Sequence, residues 1–336
     1  MINKLYEKSK KIIKENVKFM IFFVVILLLF FVELPYYIDT SGGILNLKDR
    51  VKIENKYESK GSFNLTYVSE LKGNLIFVLF SFINPNWDLI KKSDVISSNE
   101  TVKESNFRNK MLLNEANDYA IISAFDYALK EYEINNRDLY VTYIDENSDT
   151  DLKIGDKIIK VDGNVFNDKT SLKEYILNKN LNDEIIFKVE NDNVEYDRKA
   201  KIVSINKKKA VGILITEDLE ISTNPKIDFK FKTSESGPSA GLMTTLEIYN
   251  SITKEDITKG KTIAGTGTID EKGNVGSIGG VEYKLKAAEK DNADIFFVPK
   301  GDNLKEAKKI KNEKKYDIEI VGISSLNEAI NFLKKY

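Results

Sequence analysis

The first pattern in the chain is an uninterrupted apolar run that follows a basic end. The first 18 residues carry six lysines and two glutamates, and residues 19–32 are all uncharged. A helix of that apolar length measures about 21 Å, so it reaches the roughly 30 Å core of a bilayer only with its flanking residues, two interfacial tyrosines among them. We predict a basic cytoplasmic tail at 1–17 and an uncleaved transmembrane signal anchor at 18–38. A cleaved signal peptide is the alternative.

The pattern of polar and apolar residues changes between residues 39 and 115. Short alternating runs, such as 63–68, are separated by glycine and charged residues, which favours strands. The apolar run 75–83 is too short to cross a bilayer and predicts a buried or interfacial helix. Residues 101–131 lack glycine and proline and repeat their apolar residues at helical spacing. We predict a membrane-proximal β element and helix over 39–115, with the long helix leading into the next domain.

Residues 116–207 carry a series of elements that resembles the central signature of PDZ domains. In chain order these are a strand at 139–144, a turn at Gly155-Asp156, a strand ending at Asp162-Gly163, a helix at 171–177 and a strand at 184–190. The resemblance implies a PDZ-like β-sandwich or barrel domain with a peptide groove beside the helix at 171–177. Residues 135–138 lack the glycine expected in a carboxylate-binding loop, so recognition of free C-termini stays open.

The last part of the chain, residues 210–336, alternates strands with helices. Strand-like runs lie at 211–216, 227–231 and 262–269, and three further alternations of strand and helix end at Tyr336. This order is typical of an α+β domain. The whole chain is therefore predicted to be an α+β multidomain protein.

The amino-acid composition excludes several catalytic mechanisms and metal sites. The chain contains no histidine and no cysteine, which excludes Ser-His-Asp and Cys-His mechanisms and the usual zinc ligands. A serine nucleophile would need a lysine or a carboxylate as its base. A net charge of -1, from 51 basic and 52 acidic residues, gives no reason to expect nucleic acid as a partner.

Nucleotide motifs are also incomplete. Gly260-Lys261-Thr262 resembles the end of a Walker A loop, but Glu255 stands where its leading glycine belongs. Gly265-Thr266-Gly267 lacks the third glycine of a dinucleotide fingerprint. We expect neither a cofactor nor a metal ion.

One serine stands between small residues at the predicted start of a helix. Gly237 permits backbone angles that other residues avoid, and Pro238 is suited to the entry into a helix. Ser239 follows at the positive end of that helix, where free N–H groups can bind an oxyanion. Ala240 and Gly241 leave room for a substrate backbone. The alternative is that Ser239 is an ordinary N-cap.

A lysine is predicted to point into the protein from a later helix. Val281, Lys284, Leu285 and Ala288 share one helical face, so Lys284 lies on an apolar stripe, whereas Lys286 is predicted to face water. Burial disfavours the charged form of lysine and lowers its pKa. A neutral Lys284 could serve as a general base.

These motifs together resemble the proteolytic domain of Lon proteases. The shared motifs are Gly237-Pro-Ser-Ala-Gly241, Thr266-Gly267 and Gly279-Gly-Val-x-x-Lys284, within residues 210–336. The resemblance implies that Ser239 is the nucleophile, that Lys284 is the general base and that Thr266 orients the lysine. It also implies that the loop of Gly237, Pro238, Ala240 and Gly241 forms the oxyanion site. Ser236 stands where many Lon proteases have an acidic residue, with Glu235 beside it.

The order of anchor, PDZ-like domain and Lon-type domain resembles membrane-bound, Lon-like PDZ proteases of Gram-positive bacteria. We therefore expect a single-pass cell-membrane protein with a cytoplasmic N-terminus and an extracytoplasmic, ATP-independent serine endopeptidase domain. Its expected partners are peptides or unfolded protein segments, which the PDZ-like domain recruits or gates. A catalytically inactive cell-surface PDZ adaptor is the alternative. Homo-oligomerisation stays open, although Lon proteolytic domains tend to form rings.

Overall fold

The computed structural model describes residues 2–336, with the side chains of all of these except 2–5 and 9. These residues adopt a mixed α/β fold that divides into two compact units. The first unit contains residues up to 41 and 68–95, and the second contains 42–67 and 96–336.

The described chain contains helices and strands with the following bounds. The helices are α1 (Ile2–Phe31), α2 (Leu75–Ser81), α3 (Lys92–Val95), α4 (Val102–Tyr127), α5 (Lys169–Leu177), α6 (Gly241–Ile252), α7 (Val281–Lys290), α8 (Asp302–Lys314) and α9 (Leu326–Lys335), with 3₁₀ turns at Leu47–Asp49 and Pro238–Ala240. The strands are β1 (Glu33–Asn46), β2 (Val51–Ile53), β3 (Ser62–Asn74), β4 (Trp87–Lys91), β5 (Tyr132–Ile144), β6 (Lys157–Val161), β7 (Glu184–Asn191), β8 (Val194–Lys201), β9 (Val203–Ile205), β10 (Lys208–Ala210), β11 (Ile213–Thr223), β12 (Ile227–Phe229), β13 (Thr262–Gly265), β14 (Thr268–Ile269), β15 (Val275–Gly276), β16 (Ile295–Pro299) and β17 (Glu319–Ile323).

The transmembrane anchor predicted at 18–38 is wrong. Helix α1 ends at Phe31, so its apolar part from residue 19 onward covers only about 20 Å. The residues that were to extend the span form strand β1 instead, where Tyr36 and Tyr37 pair antiparallel with β4. Within residues 2–336, no helix combines the length and the apolar character that a membrane crossing requires. The predicted extracytoplasmic location stays a prediction.

In the second unit, four parallel strands run in the order β17-β16-β13-β3. Alternate residues of β16 face opposite sides: Ile295 and Phe297 contribute to a core with α4, α6 and α9, while Phe296 and Val298 contribute to a core with α7 and α8. Covering both faces is typical of parallel sheets, because side chains alternate along each strand. The sheet thereby brings α6, which directly follows the candidate serine, and α7, which carries the candidate lysine, to the same strand, β13.

The sheet that contains β13 includes more of the chain than residues 210–336. Residues 62–65 of β3 pair in parallel with β13, and α4 packs against α6. Thr101 caps α4 through a reciprocal bond with Glu104, which explains why this helix begins where it does. The domain boundaries stay predictions, but α6, the helix that follows the serine, packs against α4, which begins well before residue 210.

A second sheet in the same unit is antiparallel, with the order β11-β5-β6-β7-β8. Helix α5 begins at its N-cap Asp168, whose side chain accepts from the N–H of Ser171, and it buries Leu172 and Ile176 in the core of this sheet. Residues 135–138, which the sequence placed in a loop, lie inside β5, and residues 136–138 pair with β11. The turn that leads into the strand beside α5 is instead at Gly212, whose φ of 80° favours glycine.

Candidate active site

Ser239 lies in the 3₁₀ turn at 238–240, directly before α6, and is half-buried. Gly237 has a φ of 89°, a conformation that L-residues rarely adopt, and Pro238 occupies the first position of the turn. The N–H of Gly237 donates to the carbonyl of Asn109 in α4 at 3.0 Å. Because Ala240 is the N-cap of α6, Ser239 is not an N-cap serine for that helix.

Lys284 reaches the serine from the opposite helix. It lies in the first turns of α7 between the buried side chains of Val281 and Leu285, and only 5% of it is exposed. Its Nζ is 3.0 Å from Ser239 Oγ and 3.2 Å from Thr266 Oγ1. Sequence reasoning predicted this inward direction from the apolar stripe. Lys286, predicted to face water, is half-buried.

Burial controls the ionisation of this lysine. Loss of hydration lowers the pKa of Lys284 from 10.5 to about 8. A substantial fraction of the amine is therefore neutral slightly above neutral pH. A neutral amine at 3.0 Å from a hydroxyl oxygen is within reach of its proton.

Thr266 joins the lysine to the serine backbone. The threonine is fully buried, and its Oγ1 accepts from Lys284 while donating to the carbonyl of Ser239 at 3.2 Å. The N–H of the next residue, Gly267, donates to the same carbonyl at 2.9 Å. The end of β13 thus holds the serine turn and the lysine at once, so Ser239, Lys284 and Thr266, which were separate motifs in the sequence, are brought together.

A close approach between α6 and β14 keeps this arrangement compact. A Cβ on Gly241 would lie 2.9 Å from both the backbone nitrogen and Cγ2 of Ile269. Only glycine allows the first turn of α6 to touch the strand at that distance. The sequence predicted space for a substrate backbone at Gly241, but Ile269 of β14 occupies that space.

The acidic residue near the serine has a different partner from the lysine. Glu235 accepts from Arg50 Nη2 at 2.6 Å, from Arg50 Nε at 2.8 Å and from the N–H of Lys232 at 2.9 Å. Burial by itself would raise the pKa of Glu235, but these donors outweigh it and the pKa is lowered. Ser236 is exposed. Arg50 escaped sequence reasoning because it precedes Glu235 by 185 residues and belongs to no motif.

Strand β11 lies at the edge of its sheet, and different helices contact the two halves of this edge strand. The N–H groups of Glu217 and Leu219 donate to the carboxylates of Glu115 and Asp118 in α4 at 2.8 and 3.0 Å. Helix α4 thus occupies the far half of this edge. Strand β11 also contacts α5, and Ile213 and Ile215 in its first half pack against the core that contains Leu172 and Ile176 of α5.

Polar contacts connect this region to the hairpin that follows β13. The buried carboxylate of Glu217 accepts from the N–H of Lys169, the first residue of α5, and from Arg137 Nη1 at 2.7 and 2.6 Å. Arg137 Nη2 also donates to Glu271, in the turn between β14 and β15, at 2.7 Å. Glu217 and Arg137 therefore link the start of α5 to the hairpin beside Ser239.

Comparison with known proteins gives two domain matches. Residues 230–334 match the model of the Lon protease (S16) C-terminal proteolytic domain, and residues 127–206 match the PDZ domain model. The chain thus carries a Lon-type protease domain and a PDZ domain. Both matches agree with the resemblances found in the sequence.

Several Lon proteases are similar to this chain over the protease-type segment. That of Aster yellows witches'-broom phytoplasma is 32% identical over 97 residues, which are 29% of this chain and 12% of that protein. That of Rickettsia typhi is 34% identical over 96 residues, again 29% and 12%. Lon protease 2 of Borreliella burgdorferi is 29% identical over 119 residues, 34% of this chain and 15% of that protein. The chain therefore spans only a small part of these relatives.

Two solved PDZ domains are also similar. One, from an SdrC-like protein of Listeria innocua, is 27% identical, covers 23% of this chain and 92% of that domain, and has a TM-score of 0.22. The other, from an SdrC-like protein of Listeria monocytogenes, is 24% identical, covers 23% and 85%, and has the same TM-score of 0.22.

Proposed function

We propose that the chain is an ATP-independent serine endopeptidase in which Lys284 activates Ser239. The observation that carries the proposal is the 3.0 Å contact between Lys284 Nζ and Ser239 Oγ, made by a lysine whose pKa burial has lowered to about 8. Nucleophile and base within hydrogen-bond reach, with a third group orienting the base, form the general arrangement for nucleophilic catalysis. Thr266 supplies the third group.

The reaction follows from this geometry. Neutral Lys284 takes the proton of Ser239 as Oγ attacks the scissile carbonyl, and the N–H groups of Ser239 and Ala240 stabilise the resulting oxyanion. The lysine ammonium then gives its proton to the leaving amine, which departs and leaves an acyl-serine. Lys284 next takes a proton from water, whose oxygen attacks the acyl carbon. Return of that proton to Ser239 Oγ releases the carboxylic acid product and regenerates both residues.

Substrates are proposed to be peptides or unfolded protein segments. The sequence carries no Walker A loop of the required spacing, so we propose cleavage without an unfolding motor. We further propose that the PDZ domain recruits or gates these substrates. The position of β11 at the edge of its sheet, in contact with α5, supports this role, because main-chain pairing accepts many sequences.

The test uses the full chain with fluorescein-labelled casein, an unstructured substrate, and a fluorophosphonate probe for reactive serines. We expect cleavage and labelling by wild type, and a loss of about a thousandfold or more in Ser239→Ala. Ser236→Ala, which changes an exposed serine of the same loop, is the matched control and should stay active. Equal cleavage by wild type and Ser239→Ala would reject the proposal. Casein binding with neither cleavage nor labelling would favour the inactive PDZ adaptor.

A further inference from the structure

Arg50 holds the loop that leads to the serine. Its guanidinium binds both carboxylate oxygens of Glu235, and its side chain is only 13% exposed. Its own carbonyl accepts from the N–H of Lys230 at 2.7 Å, where the loop begins. A two-point arginine–carboxylate pair fixes orientation as well as distance. Arg50, directly before β2, therefore contacts both the start and the middle of the loop.

The two ends of this loop are fixed by different parts of the protein. At the start, β12 pairs with β2, with Phe229 opposite Val51. At the end, the N–H of Gly237 donates to the carbonyl of Asn109 in α4. Both anchors lie outside residues 230–334, the segment that matches the Lon-type model. Residues outside the matched segment therefore hold both ends of the loop that leads to the serine.

Phe231 packs against the core at the start of the loop, and the residues that follow it are mostly exposed. Residues 232–234 and Ser236 are exposed, whereas Glu235 is partly buried against Arg50. The N–H of Glu235 donates to the carbonyl of Lys232, and the carboxylate accepts from the N–H of Lys232, which closes a tight turn. The Arg50–Glu235 pair is thus the main side-chain contact that holds this turn.

We infer that Arg50 and Glu235 are positioning residues that set the nucleophile loop so that Ser239 faces Lys284. The inference rests on the proposed peptidase function. Glu235 does not act as the base, because both of its oxygens are already bound by donors. A misplacement of about 1 Å can reduce a reaction rate by about a hundredfold, so a loosened loop lowers turnover more than substrate binding.

The experiment compares Arg50→Ala, Arg50→Lys and Glu235→Gln in the full chain with casein as substrate. We expect Arg50→Ala to lower kcat at least about tenfold with KM within about twofold, and the pH midpoint of kcat/KM to stay near that of wild type. Arg50→Lys should fall between, because lysine cannot make the two-point contact. The double variant Arg50→Glu/Glu235→Arg should recover activity relative to either single reversal. Lys52→Ala, an exposed change two residues later in β2, should match wild type.

Hydrogen exchange gives a readout that does not require activity. In wild type the N–H groups of Glu235 and Gly237 are bonded and should exchange slowly, and Arg50→Ala should accelerate both at an unchanged melting temperature of the rest of the domain. If wild type proves inactive on casein, this acceleration still supports the positioning role while the proposed function fails. Wild-type kcat together with unchanged exchange in Arg50→Ala overturns the inference, as does a shifted pH midpoint.

Discussion

The Nζ of Lys284 lies 3.0 Å from the Oγ of Ser239, although the two residues are 45 positions apart in the chain. The serine comes from the turn before α6 and the lysine from the buried face of α7. Between them, Thr266 at the end of β13 bonds to both. The contact therefore depends on how two helices pack around one strand, and each of these elements offers a separate test.

The threonine hydroxyl should affect catalysis without being essential. Thr266→Val keeps the shape of the buried side chain but removes a hydroxyl that accepts from Lys284 and donates to the Ser239 carbonyl. We expect kcat to fall by about tenfold, equivalent to about 1.4 kcal/mol. Steady-state kinetics on casein would check this value. A loss as large as that of Ser239→Ala would mean that the hydroxyl takes part in the chemistry itself.

A methyl group at Gly241 should separate α6 from β14. The added Cβ would meet the Ile269 backbone at 2.9 Å, which neither element can absorb without moving. We expect Gly241→Ala to lose at least about tenfold in kcat and about 1–3 kcal/mol in the free energy of unfolding. Gly279→Ala is the control, because a Cβ there meets no atom within 4 Å. Equal activity of the two variants would contradict the close approach.

Removing the bridging arginine should leave a buried charge. Only 2% of the Glu217 side chain is exposed, and Arg137 is its charged partner at 2.6 Å. We expect Arg137→Met to lower the free energy of unfolding by about 3 kcal/mol, since an unpaired buried carboxylate is costly. Glu217→Gln in the same chain should recover part of this loss. Additive effects in a urea-unfolding double-mutant cycle would argue against the contact.

Stability should depend on pH through one carboxyl in α4. Burial raises the pKa of Asp118 from 3.8 to about 7, helped by Asp218 and Glu115. Between these pH values the folded protein holds a proton that the unfolded chain has lost, so stability falls as pH rises from about 4 to 7. Asp118→Asn, which still accepts from Leu219, should raise the melting temperature at pH 8 but little at pH 4. The control Glu220→Gln, an exposed change in β11, should shift neither.

Features that depend on residues close together in the sequence were predictable from local patterns. The helix at 102–127 was predictable from the absence of glycine and proline and from the helical spacing of apolar residues, and the inward direction of Lys284 from its apolar neighbours. The three site motifs were recognisable because each contains glycine, and one also proline, at characteristic positions.

Long-range contacts account for what the sequence could not predict. Residues 36–38 are aromatic and apolar, which favoured an extension of the helix, yet they pair with β4 as part of a strand. Arg50 is one of many basic residues until the pairing of β2 with β12 places it beside Glu235. The carboxylate-binding loop was sought before residue 139, whereas the turn that leads into β11, the strand beside α5, lies at Gly212.

The most direct test of the Ser239–Lys284 mechanism is the pH dependence of kcat/KM for wild type and Lys284→Arg. In wild type, kcat/KM should rise with pH through one ionisation near 8, because only the neutral amine accepts the serine proton. The chain has no histidine to produce this ionisation. Lys284→Arg should be inactive throughout, since arginine stays protonated, while Lys290→Ala, an exposed change in α7, keeps the wild-type profile. An active Lys284→Arg enzyme with the same pH profile would contradict the mechanism.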